Sequence, residues 1–347
     1  MISTAIAERL GLDQAAVDRA AALHDRATVV DASAVIDLDR SHVERFRAGG
    51  VTAVNHTVTL PDADYEPAVT QIKSARAWID DNPGDVLLCR RADDIAEAKR
   101  TGREAIVFGP QDTRFLGTDL SHLDRFYEFG VRILQLTYQY RNFVGDGCGE
   151  PDPAGLSRFG RELVAAMNEL GILIDLSHCG RPTAMEAMEA SDAPVVFTHA
   201  HASAVHPHIR FKDDDLLRAL ADQGGVIGVT GLSPFNKLEN GVRPGLREWL
   251  VHVTYLVDLL GPDHVGLGLD FDETSTPERD RAELAAYPEL ALRQEFGYEG
   301  RRVAGLTSAA DVGNATLALI SAGYDDETIL KILGGNWLRV FARVWRP

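Results

Sequence analysis

Two histidines and an aspartate stand at the ends of apolar, strand-like runs. His178 closes Ile172-Leu-Ile-Asp-Leu-Ser-His, His199 closes Pro194-Val-Val-Phe-Thr-His, and Asp270 closes His264-Val-Gly-Leu-Gly-Leu-Asp. Imidazole and carboxylate are metal-ligand and proton-transfer groups. The C-terminal rim of a β/α barrel is where such groups converge, because its catalytic side chains come from strand ends. One histidine after a strand carries little weight. Three endings of this kind in strand order point to a metal site.

The elements that must position these residues are visible as alternation. Eight runs read as strands: Thr28–Ser33, Val51–Val58, Ala105–Gly109, Val131–Tyr138, Ile172–His178, Pro194–His199, Gly225–Thr230 and Val265–Asp270. Helical patterns lie between most of them, at Asp64–Asn82, Leu120–Phe129, Gly160–Leu170, Thr183–Ala190, Asp213–Gln223 and Leu246–Leu260. Near-continuous apolar strands alternating with helices specify a parallel sheet covered on its outside, and eight units specify a closed barrel. The expectation is an α/β protein, a (β/α)8 TIM barrel in one domain over residues 1–347, with helical extensions at both ends. The N-terminal extension reads as one amphipathic helix over 3–24. The C-terminal one reads as helices at Ala309–Ala322, Asp326–Leu333 and Trp337–Trp345. A short run, Val86–Cys89, breaks the alternation and reads as lying outside the barrel. Residues 273–305 are charged and irregular and read as a long loop or lid.

Composition narrows the class. The 347 residues are 45% hydrophobic and 25% charged, as in an ordinary globular protein. A net charge of −17 argues against nucleic acid as a partner. Cys89, Cys148 and Cys179 show no Cys-x-x-Cys spacing and leave at least one thiol unpaired, which suits a reducing cytosol. The N-terminus lacks the pattern of a signal peptide, and no run approaches the length of a membrane span. The expectation is a cytoplasmic protein with no membrane partner.

Several segments resemble the renal or membrane dipeptidases, peptidase family M19, of the amidohydrolase superfamily. They are Gly130-Val-Arg-Ile-Leu-Gln-Leu-Thr, Gly155-Leu-Ser-Arg-Phe-Gly, and Met167-Asn-Glu-Leu-Gly running into Ile172–His178. Pro194–His199, Val265-Gly-Leu-Gly-Leu-Asp-Phe-Asp and Gly334-Gly-Asn-Trp-Leu-Arg-Val-Phe complete the set. The resemblance implies a barrel of the metallo-dependent hydrolase type, with homodimerisation frequent. It also implies two zinc ions, held by a His-x-Asp pair on the first strand, a bridging Glu on the third, and one His each on the fifth and sixth. Here Ser33 and Val35 fall where the pair belongs, Gln111 falls at the bridging position, and Tyr138 replaces a substrate-contacting His. A neutral amide cannot supply the charge that two close divalent ions need. His178, His199, Arg210 and Asp270 survive. The chain therefore binds one metal or none, and a single divalent ion, zinc by its imidazole ligands, is the expectation.

A third protein ligand is then required, since catalytic zinc takes three and a water. His56 is the leading new candidate, against the reading of a polar loop histidine. Asp31, Gln111, Asp112 and Asp270 are the others. Asp270 is expected to be the catalytic base, and Tyr138 an oxyanion donor and substrate contact. Arg210, Gln111 and Arg141 are expected at the substrate, with His201 and His206 as rim histidines. The expected reaction is attack of water on an acyl carbonyl of a small-molecule substrate. A one-metal site suits a thioester or ester better than a dipeptide, because an amide needs stronger polarisation and a protonated leaving group. If the thioester carries coenzyme A, its phosphates need cations, for which Arg114, Arg141, Arg210 and Lys212 are placed. The alternatives are a dipeptidase or amidase with a rebuilt metal site, and a metal-free binder, lyase or isomerase.

Overall fold

Nine parallel strands organise the computed structural model, which describes residues 2–35, 37–239, 241–273, 275–288 and 295–346. They are β1 Val29–Ala34, β2 Val51–His56, β3 Val86–Leu88, β4 Glu104–Phe108, β5 Ile133–Gln135, β6 Leu173–Asp175, β7 Val196–Ala200, β8 Val226–Val229 and β9 Val265–Leu267. Two sheets result, ordered β1-β2-β4-β3 and β5-β6-β7-β8-β9. Single parallel bridges join them at both seams, Phe108 with Val131 and Ala34 with Phe271. All eight expected strands are present, with bounds that differ by a few residues. The ninth, β3, pairs with the start of β4 at Val86 and Glu104, which leaves the end of β4 to meet Val131.

Helices between the strands cover the sheets as expected, and two more occur at Arg40–Ala48 and Ala92–Thr101. Both are short and rich in charge, with three and two buried residues, so their apolar face is narrow. The expected helix over 3–24 is broken into Thr4–Leu10 and Gln14–Arg26. Gly11 takes φ 75° at the break, a left-handed conformation that ends a helix readily only at glycine. The segment 273–305 is not a bare loop, since it carries the helix Pro277–Ala286 and a turn at Gly297–Gly300. Residues 274 and 289–294 of that segment lie outside the described residues. Among the described residues no helix is long and apolar enough to cross a membrane.

The helix Asn336–Val344 closes the barrel at the starts of the strands. Trp337, fully buried, donates from Nε1 to the Leu267 carbonyl at 3.0 Å, and Trp345 donates to the Arg132 carbonyl at 3.0 Å. Inward residues of many strands, such as Ala32, Ala53, Val107 and Val226, pack with this helix in one cluster. Above it the interior is too narrow for side chains on every strand. A Cβ on Gly268 would lie 1.8 Å from the Thr198 carbonyl oxygen, and one on Gly228 2.1 Å from it. These glycines let β8 and β9 crowd against the strand that carries His199. Gly268→Ala should therefore cost about 2–3 kcal/mol, the upper part of the usual range for overpacking. The urea midpoint at constant slope measures this, and an unchanged midpoint would show that the interior can yield.

Candidate active site

The site is built at the opposite end, where β6 and β7 deliver the two histidines. Asp175, the last residue of β6, points into the barrel and organises both. Its Oδ1 accepts from the Ser177 amide at 3.0 Å, the Ser177 hydroxyl at 2.6 Å and the Thr198 amide at 3.0 Å. Its Oδ2 accepts the Thr198 hydroxyl at 2.6 Å. The Thr198 proton is thereby committed, so the His199 Nδ1 at 2.8 Å from Thr198 Oγ1 must be the donor in that contact. His178 Nδ1 faces the Gln139 side-chain amide at 3.1 Å. His199 is then protonated on Nδ1 when neutral and keeps a lone pair on Nε2, whereas the Gln139 amide can present either its oxygen or its nitrogen to His178.

The consequence is at Nε2. His178 Nε2 and His199 Nε2 lie 2.9 Å apart. A proton carried by His178 Nε2, or a metal ion held by both nitrogens, makes that contact attractive. Two imidazoles on one tetrahedral zinc, with bonds near 2.0–2.1 Å, hold their nitrogens about 3.3 Å apart. The pair is within a few tenths of an ångström of that spacing. Burial lowers the pKa of His199, while the nearby Asp270 carboxylate opposes the effect. The two imidazoles therefore fit as two ligands of one ion of the zinc class.

Asp270 stands at φ 58°, in the left-handed region uncommon for residues other than glycine. Ser33 donates to its Oδ1 at 2.9 Å, and the Gln111 amide donates to Ser33 at 3.3 Å. Ser33 and Gln111 thus form a neutral relay ending on the carboxylate. Asp31, beneath them, is fully buried, with Oδ1 accepting the Leu269 amide at 2.7 Å and Oδ2 without a hydrogen-bond partner. Burial is the main cause that raises its pKa from 3.8 to about 7.

Other expected site residues divide. Tyr138 stacks on His178 with centroids 4.1 Å apart, and lines the cavity with Gln111, Arg210 and Asp270. Arg210 is 2% exposed and is not paired with a surface aspartate. Its guanidinium donates to the carbonyls of Ser177 and His199, which ties the two histidine loops together. His56 reaches the cavity but shares its strand face with Val54 of the helix-side core, and its ring is 6.4 Å from Phe108. It does not join the histidine pair. Among the described residues no group of three His, Cys, Asp or Glu side chains could hold a metal. Asp112 is held by Asn142 and by the Arg114 and Tyr138 amides, a structural role. His201 is buried against His252 and Phe211, not free at the rim.

Of the expected rim cations, Arg114, Arg141 and Lys212 do not line the cavity, and Arg210 alone does. Arg141 is engaged by Asp146, and Arg114 leans toward Asp64 at 3.5 Å. Lys212 is buried on the carbonyls of Leu176 and Cys179, which pushes its pKa down to about 8 by desolvation. The three cysteines are free thiols. Sequence reasoning missed Asp175, Thr198 and Gln139. Asp175 was detectable as an acid on the inward face of a buried strand, where only a fully bonded carboxylate is tolerated. The helix Pro277–Ala286 and Tyr287 also line the cavity, whose volume is about 860 Å³. Tyr287 meets Tyr138 edge-on at 5.1 Å, so the expected lid does reach the site.

Asp31 makes a pH prediction for the metal-free protein. Its folded pKa is raised, so between about 4 and about 7 the folded chain binds more protons than the unfolded one. Stability should fall as pH rises through that window and level off above it. Asp31→Asn should flatten the profile, as read by urea unfolding at several pH values. An unchanged slope would rule out Asp31 as its source.

Comparisons agree with this architecture. A model of the membrane dipeptidase family, peptidase family M19, matches residues 7–307. Dipeptidase tcpJ of Claviceps purpurea is 29% identical over 259 residues, covering 74% of this chain and 55% of that protein. An uncharacterized dipeptidase, C965.12 of Schizosaccharomyces pombe, is 31% identical over 239 residues, 67% of this chain and 57% of that one. The chain thus spans a little over half the length of these relatives. A crystal structure of an amidohydrolase from Pseudomonas aeruginosa superposes with TM-score 0.85 at 32% identity, over 94% of this chain and 99% of that one. A Rhodobacter sphaeroides metallo peptidase, liganded with a phosphinate mimic of a dipeptide, superposes with TM-score 0.78 at 23% identity over 92% and 99%. At that identity it speaks to the fold.

Proposed function

From the premise that this chain belongs to the membrane dipeptidase family, peptidase family M19, we propose that it is a hydrolase of acyl substrates working beside one divalent ion. The fold is the TIM barrel of the metallo-dependent hydrolase type. The observation that carries the reading is the pair of Nε2 nitrogens facing at 2.9 Å in the cavity. His178 and His199 would hold the ion, which when bound supplies the positive charge that polarises a carbonyl and acidifies water. Asp270, oriented by Ser33, takes the proton of the attacking water. Oxygen then bonds to the carbonyl carbon, the bond to the leaving group breaks, and the proton passes from Asp270 to the departing atom. The Tyr138 phenol is the hydrogen-bond donor for the oxygen that gains charge.

The leaving group separates the substrates. Ser33, Val35 and Gln111 offer no charge to a second ion, which favours an ester or thioester over an amide. A coenzyme A thioester fits poorly. The cavity is lined by Asp37, Asp62, Asp270 and Asp272 against Arg210 and Arg279, an acidic balance that repels phosphates. A neutral alcohol or thiol leaving group suits it. Dipeptide cleavage is the second reading, supported by the names of the relatives. The same cavity also carries both carboxylates and arginines, partners for the ammonium and carboxylate ends of a dipeptide.

Elemental analysis should find about one divalent ion per chain, and His178→Ala or His199→Ala should lose both ion and activity with an unchanged far-UV spectrum. Two ions per chain, or none after zinc-supplemented purification, would sink the one-ion site. Asp270→Asn should keep the ion and lose roughly 10²-fold in kcat, the scale of a missing general base. Loss of the ion as well would make Asp270 a ligand. A panel of simple esters, thioesters and dipeptides decides between the readings. Efficient dipeptide cleavage with no ester or thioester turnover would select the second.

A further inference from the structure

The cavity that contains His178 and Asp270 does not stop at them. It continues past the end of β2, between the loop that follows that strand and the helix Tyr65–Asp81. One face of this helix is the far wall, with lining positions from Thr70 through Ala75 to Trp78. Eight helical steps from Thr70 to Trp78 rise about 12 Å. Two residues of a fully extended chain span at most about 7 Å, so a dipeptide cannot reach along this wall. The cavity volume of about 860 Å³ lies near the top of the usual range for small-molecule sites, roughly 300–1,000 Å³.

The lining has a chemical order. Val58, Leu60, Ala75 and Trp78 give the arm an apolar side, and Leu60 is 46% exposed, unusually open for a leucine beside a cavity. Thr57 and Thr59, on the same loop and over nine-tenths buried, have hydroxyl groups without hydrogen-bond partners. An unpaired buried hydroxyl costs on the order of a lost hydrogen bond, and a bound polar group removes that cost.

We propose that this arm is the acyl subsite: the substrate carries an elongated acyl group, apolar at the end nearest Trp78 and able to accept or donate a hydrogen bond near Thr57 and Thr59. The proposal rests on the hydrolase reading above for its chemistry, but the subsite itself can be tested without turnover. The leaving group is on the other side of the carbonyl, so chain length on the acyl side alone should set the preference.

The kinetic arm compares kcat/KM for p-nitrophenyl decanoate and p-nitrophenyl acetate on the zinc-loaded protein. The wild type should favour decanoate by at least about tenfold, the scale of filling an apolar pocket. Ala75→Trp fills the arm and Trp78→Ala removes its wall, so each should lower that ratio about tenfold, with thermal midpoints confirming the fold. The binding arm titrates the metal-free protein with decanamide, whose head is neutral, by calorimetry. Wild type should bind, and Ala75→Trp should not. If no ester is hydrolysed but decanamide binds in this pattern, the subsite stands and the hydrolase reading falls. A wild-type ratio near one, a ratio that Ala75→Trp leaves unchanged, or no decanamide binding would overturn the subsite.

Discussion

The site depends on the buried carboxylate of Asp175. It accepts four hydrogen bonds, two from hydroxyls and two from amides, all within the ends of β6 and β7. A buried carboxylate with fewer donors would carry a desolvation cost of several kcal/mol. With four, charge-assisted bonds offset it and lock the two strand ends together. By consuming the Thr198 proton it also sets which nitrogen of His199 presents a lone pair to the cavity. The orientation of the rim histidine is thus decided one layer below, by a residue that does not line the cavity. Gly228 and Gly268 belong to the same constraint, because they admit the Thr198 carbonyl into a space where a methyl group would strike it.

Beside the histidine pair, the floor of the cavity is built of hydrogen bonds. Ser33 and Gln111 form a relay onto Asp270, and Asp31 below them is raised to a pKa of about 7. Neutral groups, not paired charges, orient the Asp270 carboxylate from this side. On the other half, Tyr138 stacks on His178 and Arg210 spans the carbonyls of both histidine loops. One half is therefore arranged around a pair of imidazoles, and the other around a hydrogen-bonded carboxylate.

Much of this was legible in the sequence because strand interiors leave a one-dimensional trace. Val, Ile and Leu runs gave all eight expected strands, and the helix Leu246–Leu260 emerged with its bounds intact. The histidines were found because they interrupt apolar runs at their ends. Legibility failed where the cause is three-dimensional. Whether His56 faces inward depends on pleat and register, which place it with Val54 on the helix side. Arg141 and Lys212 looked like rim cations, but a carboxylate five residues on and a set of carbonyls hold them elsewhere. The charged helices Arg40–Ala48 and Ala92–Thr101 hide their narrow apolar faces. The helix Pro277–Ala286 hides for the same reason.

The tryptophan-bearing helix beneath the barrel has a kinetic meaning. It begins at Asn336, later in the chain than every strand whose inner residues it covers. A ribosome that has released β9 has therefore produced all the staves of the barrel without its base. Until the indole of Trp337 arrives, the lower ends of the strands keep apolar surface and the Leu267 carbonyl open to water. Contacts this distant in sequence are slow to form, and open sheet ends invite association with other chains. The nascent protein is then most vulnerable late in its synthesis, in the interval between completing its sheets and sealing them.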